Sequence, residues 1–294
     1  MAEEKRPGAV RRFFGAIGRA FAIMIFIGMI TGSIVVSIMA LYVFNSLDGA
    51  PVVDLSNVEV NLNNTSYIYV TDPETQEQTV VKELYSGQNR EWVSYDQIPD
   101  MIVNVTVAAE DKRFREHHGV DWLRTVKSTL GYFGGSSRIQ GGSTITQQVI
   151  KNLTGNDEVT PERKVQEIFT ALKLEKSYSK EQIMETYLNV AFFSNQCYGI
   201  QSASKLYFNK DVSELNVAEA ATLIAITNAP TKYNPLRENP NESYGWGTGM
   251  EENKERRDYI LGEMLDLGML TQSEYDQWIN YEVQLAPREE VEAT

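Results

Sequence analysis

Cysteine, histidine and basic residues are all scarce in this chain of 294 residues. Cys197 is the single cysteine, so no disulfide can form within the chain, and a small buried apolar role is expected for it. His117 and His118 are the only histidines, and adjacent residues cannot supply the i, i+4 pair of a helical zinc site. The 27 Lys and Arg are outnumbered by 40 Asp and Glu, which argues against nucleic acid as a partner.

Charged residues are absent from Ala20 to Leu47, where the one long apolar segment lies. The 25 residues Ala20–Phe44 would form a helix of roughly 37 Å, which spans a hydrocarbon core of about 30 Å. A cleaved signal peptide is the alternative, but its apolar region would hold only about 7–15 residues. We therefore expect an uncleaved transmembrane helix at 20–44. Basic residues exceed acidic ones in residues 1–19, which predicts a cytoplasmic N-terminal tail and an extracytoplasmic remainder.

Residues 45–95 are expected to form a juxtamembrane β and linker region. The residues Val58, Val60 and Leu62 alternate with polar ones, and β-rich runs follow at 67–70 and 79–81. Turn residues at 72 and 73 separate these runs and predict a hairpin. From residue 96 the periodicity becomes helical, which places the main domain at 96–272 and a tail at 273–294.

The first motif reads Glu-Asp-Lys-Arg-Phe-Arg-Glu-His-His-Gly from 110 to 119. Its periodicity predicts a helix over 101–118 that ends at a glycine. On such a helix Glu110, Phe114 and His117 share one face, while Asp111 lies about 100° away and can pair with Arg115. One carboxylate would then face a cleft beside an aromatic ring and an imidazole. Taken alone, a Glu-Asp pair on a helix is more often part of a solvated face.

The second motif reads Gly-Gly-Ser-Thr-Ile-Thr-Gln-Gln from 141 to 148. Ser143 is the expected N-cap of a helix over 144–153. The polar face of this helix would carry Thr144, Gln148, Lys151 and Asn152. Free backbone N–H groups and a partial positive charge at a helix start suit a phosphate. The alternative is an ordinary capped helix with a solvated face.

The third motif reads Arg-Lys-Val-Gln-Glu from 163 to 167. Thr160 as N-cap and a proline at the first helical position predict that a helix begins here. An apolar stripe would be buried, with Arg163 and Glu167 on the opposite face. On a solvated face these two would form only a weak ion pair. The residues of the predicted stripe are Val165, Ile168, Phe169 and Leu172.

The fourth motif, Glu185-Thr-Tyr187-Leu-Asn189, lies on a helix that the capping box of Ser179 and Gln182 predicts over 180–190. We expect the Glu, Tyr and Asn of this motif to be mostly structural. A fifth segment, from 220 to 235, ends in Tyr-Asn-Pro.

Together the five segments, in this order, resemble the signature motifs of the family 51 peptidoglycan glycosyltransferases, found in class A penicillin-binding proteins and monofunctional transglycosylases. The resemblance covers roughly residues 92–270. It implies a mainly α, lysozyme-like two-lobed glycosyltransferase domain, preceded by the single transmembrane helix and the small β hairpin region. It also implies polymerisation of lipid II into β-1,4 glycan strands, with inversion and release of undecaprenyl pyrophosphate.

The same resemblance assigns roles to residues. Glu110 is the expected general base, and Glu167 the second catalytic carboxylate, which orients cations or holds Mg²⁺. No cofactor is required by the sequence, and Mg²⁺ is a possible ion at a metal site whose residues are unknown. Two departures stand out: Val159, where many relatives carry a basic residue, and Ser194, where they usually have glycine. The expected substrate-binding residues are Asp111, Phe114, His117, Ser143, Thr144, Gln148, Lys151, Asn152, Arg163 and Lys164.

The expected partners are lipid II, the growing lipid-linked glycan and the membrane, with transpeptidase or division and elongation proteins as further candidates. An aromatic and basic segment at 120–133 is typical of an interfacial element, the alternative being an ordinary buried helix. The tail at 273–294 resembles the start of a linker to a transpeptidase domain. Two rival functions remain open: a lysozyme-like muramidase and a catalytically inactive membrane-anchored scaffold.

Overall fold

Helices dominate the computed structural model, which describes residues 9–47, 50–56, 58, 62, 66–71, 78–84, 89–133 and 142–287. This confirms the mainly α fold class with one apolar N-terminal helix. The chain divides into two compact units, Met1–Ala50 with Val159–Gln166, and Pro51–Glu158 with Glu167–Thr294. The elements are α1 Ala9–Leu47, β1 Ser66–Thr71, β2 Gln78–Leu84, β3 Asn89–Arg90, α2 Asp100–Glu110, α3 Trp122–Phe133, α4 Ile145–Thr154, α5 Pro161–Ser177, α6 Lys180–Val190, β4 Cys197–Tyr198, α7 Ile200–Phe208, α8 Val217–Asn228, α9 Gly249–Asp266 and α10 Gln272–Ile279.

The first unit contains α1, whose segment Ile17–Leu47 is long and apolar enough to cross a membrane. Its apolar side chains are exposed to the surroundings, as expected of a helix whose solvent is lipid. Near its end the Ser46 carbonyl accepts a hydrogen bond from Gln166 Nε2 at 2.8 Å. The Thr160 hydroxyl accepts from the backbone N–H of Arg163 at 3.2 Å, as predicted for an N-cap. These features are consistent with membrane anchoring.

The predicted hairpin is present as β1 and β2, which pair antiparallel with a register shift between Ile68 and Tyr69. Val58 begins the predicted alternation, and it is buried but does not belong to a strand. The alternation therefore does not form a third strand at Val58. Val60 and the predicted turn at 72 and 73 lie outside the described residues.

The core of the second unit is built around α8, in which every residue from Ala218 to Ile226 is buried. A helix that is apolar all round must be enclosed by other elements, and α8 packs against α2 and α9. Its start is fixed by a capping box between Asn216 and Glu219. This packing brings the last turns of α2 and α8 together.

The fourth motif holds the segment before α2 in place. Helix α6 begins and ends where the capping box predicts, at Lys180 and Val190. Glu185 accepts hydrogen bonds from Trp92 Nε1 at 3.1 Å and from the backbone N–H of Tyr95 at 2.8 Å. Asn189 exchanges two hydrogen bonds with the Val93 backbone, at 2.9 and 2.8 Å. These contacts agree with the structural role expected for the motif.

The predicted buried face of α5 is confirmed only in part. Ile168 and Leu172 are partly buried and pack against the core, whereas Phe169 is 41% exposed. The buried residues of this helix are Glu167, Thr170, Ala171 and Leu174. Apolar periodicity indicates the apolar side of a helix, but not which of its residues the surrounding elements cover. The alternative of a solvated face is wrong for Glu167, which is only 5% exposed.

The last helices differ from the sequence prediction at one point. The predicted tail at 273–294 contains most of a further helix, since α9 is followed by α10, whose Thr271 and Glu274 form a capping box. The chain after α10 still packs on the second unit, where the Ala286 N–H donates to the Tyr207 carbonyl at 2.8 Å. The eight residues of α10 were missed because so short a helix carries little periodicity.

Candidate active site

Glu110 is the last residue of α2, and the helix ends earlier than the sequence predicts. Asp111 follows as the C-cap with φ −154° and ψ 80°, which is outside the helical region. Residues 112–119 form turns and bends, so the expected helix over 101–118 is wrong after residue 110. The local periodicity continues past this point, but tertiary hydrogen bonds of the Asp111 side chain favour the break.

The Glu110 side chain is 8% exposed and lies between two donors. Gln148 Nε2 donates to its Oε2 at 2.8 Å, and the Thr227 hydroxyl lies 3.2 Å from its Oε1. Arg124 Nη1 donates to the Glu110 backbone carbonyl at 2.6 Å. Both carboxylate oxygens are therefore held by side chains from other helices, which restricts the rotamers of a side chain that would otherwise be mobile. A carboxylate held in this way suits general base catalysis.

Tyr187 lies against this carboxylate. The residue is fully buried, and burial followed by the nearby charge of Glu110 raises the pKa of its hydroxyl well above 10. The hydroxyl is close to Thr227 but makes no hydrogen bond of good geometry within the described part of the chain. Tyr187 is thus an uncharged phenol at neutral pH, buried beside the Glu110 carboxylate.

Asp111 belongs to a buried network beneath the site. Its Oδ2 contacts His117 Nε2 at 2.8 Å and accepts the backbone N–H of Ile145 at 3.1 Å. Its Oδ1 lies 4.0 Å from Arg124 Nη1. The predicted Asp111–Arg115 pair is wrong, since Arg115 instead donates to Asn104 at 3.0 Å. The contacts of Asp111 and His117 favour a supporting role, and their role in binding substrate stays a prediction.

The N-cap of α4 is Thr144 and not Ser143. The Thr144 hydroxyl accepts from the Gln147 N–H at 3.2 Å and donates to the Gly119 carbonyl at 2.7 Å. Because Asp111 takes the Ile145 N–H, two backbone donors at this helix start are already bonded to side chains of the protein. This geometry does not favour the predicted phosphate site at the helix start. Any contact of Ser143 and Thr144 with substrate stays a prediction.

Phe114 is buried in the core, so it does not face a cleft beside Glu110 as the sequence predicts. Its ring lies edge-on to His117, with centroids 6.2 Å apart, and Lys180 Nζ lies 4.4 Å from its centroid. Gly119 follows with φ +88°, and a Cβ here would lie 2.5 Å from the Ala171 carbonyl oxygen. Glycine is therefore required by a close approach to α5, and not by the helix C-cap predicted for it.

The other predicted residues differ in their burial and in their position on the helices. Glu167 is buried on α5, while Lys151 and Asn152 are exposed near the end of α4. Arg163 and Lys164 belong to the first unit, so their relation to Glu110 stays a prediction. In the described part of the chain, no group of three or more His, Cys, Asp or Glu is placed to hold a metal ion. The possible use of Mg²⁺ therefore stays a prediction, and we derive no step through it.

Sequence reasoning missed two residues that contact Glu110. Thr227 is 117 positions away in the fifth segment, and Arg124 lies in the first turn of a helix assigned to the membrane interface. No spacing rule marks either residue, because their proximity depends on helix packing. The interfacial prediction for α3 fits its surface, on which Trp122, Leu123 and Val126 are all more than half exposed.

Comparison with known proteins identifies relatives of this chain. Residues 77–265 match the sequence profile of the family described as Transglycosylase. Penicillin-binding protein 1F of Bacillus subtilis is 42% identical over 194 residues, which are 66% of this chain and 26% of that protein. Penicillin-binding protein 1A of Aquifex aeolicus is 39% identical over 193 residues, 66% of this chain and 25% of that protein. Penicillin-binding protein 1A/1B of B. subtilis is 34% identical over 256 residues, 87% of this chain and 25% of that protein. The chain thus spans about a quarter of the length of these relatives.

Proposed function

Since this chain belongs to the transglycosylase family, we propose that it is a peptidoglycan glycosyltransferase, which polymerises lipid II into β-1,4 glycan strands. The 4-hydroxyl of an incoming GlcNAc attacks C1 of the lipid-linked MurNAc of the growing strand. The C1–O bond to undecaprenyl pyrophosphate breaks, and inversion at C1 gives the β linkage. The observation that carries this proposal is the placement of Glu110 between Gln148 and Thr227.

Glu110 is the general base of this reaction. Its carboxylate takes the proton of the attacking hydroxyl as the new C1–O bond forms. Proton transfer of this kind contributes roughly 10²–10⁴-fold to the rate. Gln148 and Thr227 hold the carboxylate in one orientation, which reduces the reorganisation needed when substrate binds.

The leaving pyrophosphate develops negative charge, and cations are suited to stabilise it. By the family resemblance we assign this role to Lys151, Arg163 and Lys164, with Glu167 orienting the cations. The start of α4 contributes less than the sequence suggests, because the Ile145 N–H is already bonded to Asp111.

The lipid tail of the substrate stays in the bilayer during the reaction, so the enzyme works at the membrane surface. We propose that α1 spans the cytoplasmic membrane once, with the N-terminus in the cytoplasm. The exposed apolar residues of α3 then contact the interface from the extracytoplasmic side. Transpeptidase and division or elongation proteins remain proposed partners.

Polymerisation of labelled lipid II in detergent tests the proposal. The wild-type chain and Glu110→Gln are compared, with Glu116→Gln as the control because Glu116 is an exposed glutamate in the same motif. Long glycan that lysozyme degrades, made by the wild type and the control but not by Glu110→Gln, is the expected result. If the wild type makes no glycan across detergents and Mg²⁺ concentrations, the inactive scaffold is the better description. Release of muropeptides from preformed glycan would instead indicate the muramidase.

A further inference from the structure

We infer that Thr227 is a positioning residue whose hydroxyl donates to Glu110 when the carboxylate is ionised and accepts from it once it is protonated. This inference rests on the proposed function and deepens it. It assigns to a side chain of the fifth segment the task of stabilising both protonation states of the base.

The Thr227 hydroxyl has two acceptors within reach. Its Oγ1 lies 3.2 Å from Glu110 Oε1 and 2.9 Å from the backbone carbonyl of Ile224, one turn earlier in α8. A hydroxyl carries one proton, so it can donate to only one of these two oxygens at a time. Its lone pairs remain available as acceptors in either orientation.

The ionised carboxylate is the stronger acceptor. A hydrogen bond to a charged oxygen is roughly twice as strong as one to a neutral carbonyl, so donation to Glu110 is favoured before the reaction. Gln148 Nε2 bonds the other oxygen at 2.8 Å, which leaves Oε1 as the partner of Thr227.

Protonation reverses the direction of this bond. The attacking hydroxyl loses its proton, and a new O–H bond forms on Glu110. Thr227 keeps its own proton, rotates it to the Ile224 carbonyl, and accepts from the carboxylic acid. Glu110 is buried, so without such an acceptor its new O–H would be an unsatisfied buried donor, which is costly.

Tyr187 lies beside this switch without taking part in proton transfer. Its hydroxyl is fully buried close to Thr227 and stays protonated over the working pH range, so it adds no second charge there. No charged group other than Glu110 is bonded to the Thr227 hydroxyl in the described part of the chain.

Two substitutions of Thr227 separate the hydroxyl from the shape of the side chain. Thr227→Val keeps the shape and removes the hydroxyl, whereas Thr227→Ser keeps the hydroxyl and removes a methyl group. We expect Thr227→Val to lower kcat for lipid II polymerisation by roughly 10–100-fold with little change in KM. Thr227→Ser should restore most of kcat even though it loses packing and lowers Tm.

Thr222→Val is the matched control. Thr222 is buried in the same helix, and its hydroxyl donates to the Ala218 carbonyl at 2.8 Å. This variant should keep wild-type kcat, and its Tm reports the general effect of valine for threonine in α8. A purely structural role for Thr227 predicts the reverse order, with Ser more impaired than Val.

Equal kcat in the wild type and Thr227→Val would overturn the inference, as would equal losses in the Val and Ser variants. Either result leaves the proposed function standing if the wild type still makes glycan and Glu110→Gln does not. An inactive wild type would overturn the proposed function and this inference together. Unfolding of Thr227→Val at the assay temperature is detected by its Tm, and Thr227→Ala, which also lacks the hydroxyl, then provides a second test for which the same loss of kcat is expected.

Discussion

The Asp111 carboxylate caps the helix that begins at Ile145, accepting its backbone N–H at 3.1 Å. The helix start that resembles an anion site in the sequence therefore already holds an anion, supplied by the protein itself. Because Asp111 directly follows Glu110, this bond ties the first motif to the second and fixes where α2 ends. The cap holds together two segments that lie about twenty residues apart in the sequence.

Asp111→Asn should destabilise the protein by about 1–3 kcal/mol. The substitution keeps the shape of the side chain but weakens its charge-assisted bonds to His117 and the Ile145 N–H. Urea unfolding measures the change in the free energy of unfolding, and glycan synthesis should fall with it. Lys112→Ala is the neighbouring control, since it removes only a partly exposed ion pair with Glu263, worth less than about 1 kcal/mol. A larger loss in the control would contradict the importance of the cap.

Ser194→Gly should raise the stability by about 0.5–1 kcal/mol. Ser194 has φ +67° and is followed by Asn195 and Gln196, also with positive φ. A residue with a side chain is destabilised by about 1–2 kcal/mol in the left-handed region, and glycine removes this cost. The greater freedom of glycine in the unfolded chain offsets part of that stabilisation. Ser94→Gly is the matched control, since Ser94 has φ −71° and glycine there should lower the stability. Thermal unfolding of both variants checks the opposite signs.

Tyr178→Phe should change the titration of Asp54. The Tyr178 hydroxyl donates to Asp54 at 2.5 Å and, with the Ser56 backbone, lowers the pKa of Asp54 from 3.8 to about 2. Because the pKa of Asp54 is lower in the folded protein, the bond stabilises the fold at pH values above the pKa of the unfolded chain, near 3.9. This stabilisation is lost as the pH falls towards 2. Carboxyl NMR should show Asp54 titrating near 2 in the wild type and closer to 4 in the variant. An unchanged titration would mean that the hydrogen bond between Tyr178 and Asp54 is absent in solution.

Val159→Lys should strengthen substrate binding. Val159 is 98% exposed, so a longer side chain meets no steric obstacle, and it stands where many family members carry a basic residue. One added partly exposed charge is worth about 0.5–1 kcal/mol, which corresponds to a roughly two- to five-fold lower KM for lipid II. The gain should shrink at high salt. Val159→Thr controls for the loss of the apolar side chain and should leave KM unchanged.

Local signals in the sequence predicted much of the fold. The capping box at Ser179 and the proline at position 161 located the starts of two helices, because capping depends on residues three or four positions apart. The apolar segment before residue 47 was equally clear, since hydrophobic length alone sets whether a helix can span a bilayer. The break after Glu110 was missed because the hydrogen bonds of Asp111 that favour it join residues 34 positions apart.

By itself the sequence determined the helical class, the apolar N-terminal helix, the order of the motifs and the candidate base Glu110. The first three depend on local periodicity, composition and residue identity, whereas the role of Glu110 was implied by the resemblance of its motif to the family. Only the tertiary structure decided that Thr227 and Gln148 hold the Glu110 carboxylate, that Tyr187 lies beside it, and that Asp111 and Thr144 occupy the start of α4. Such contacts join helices distant in sequence, and they are set by how side chains fill a shared core rather than by any spacing along the chain.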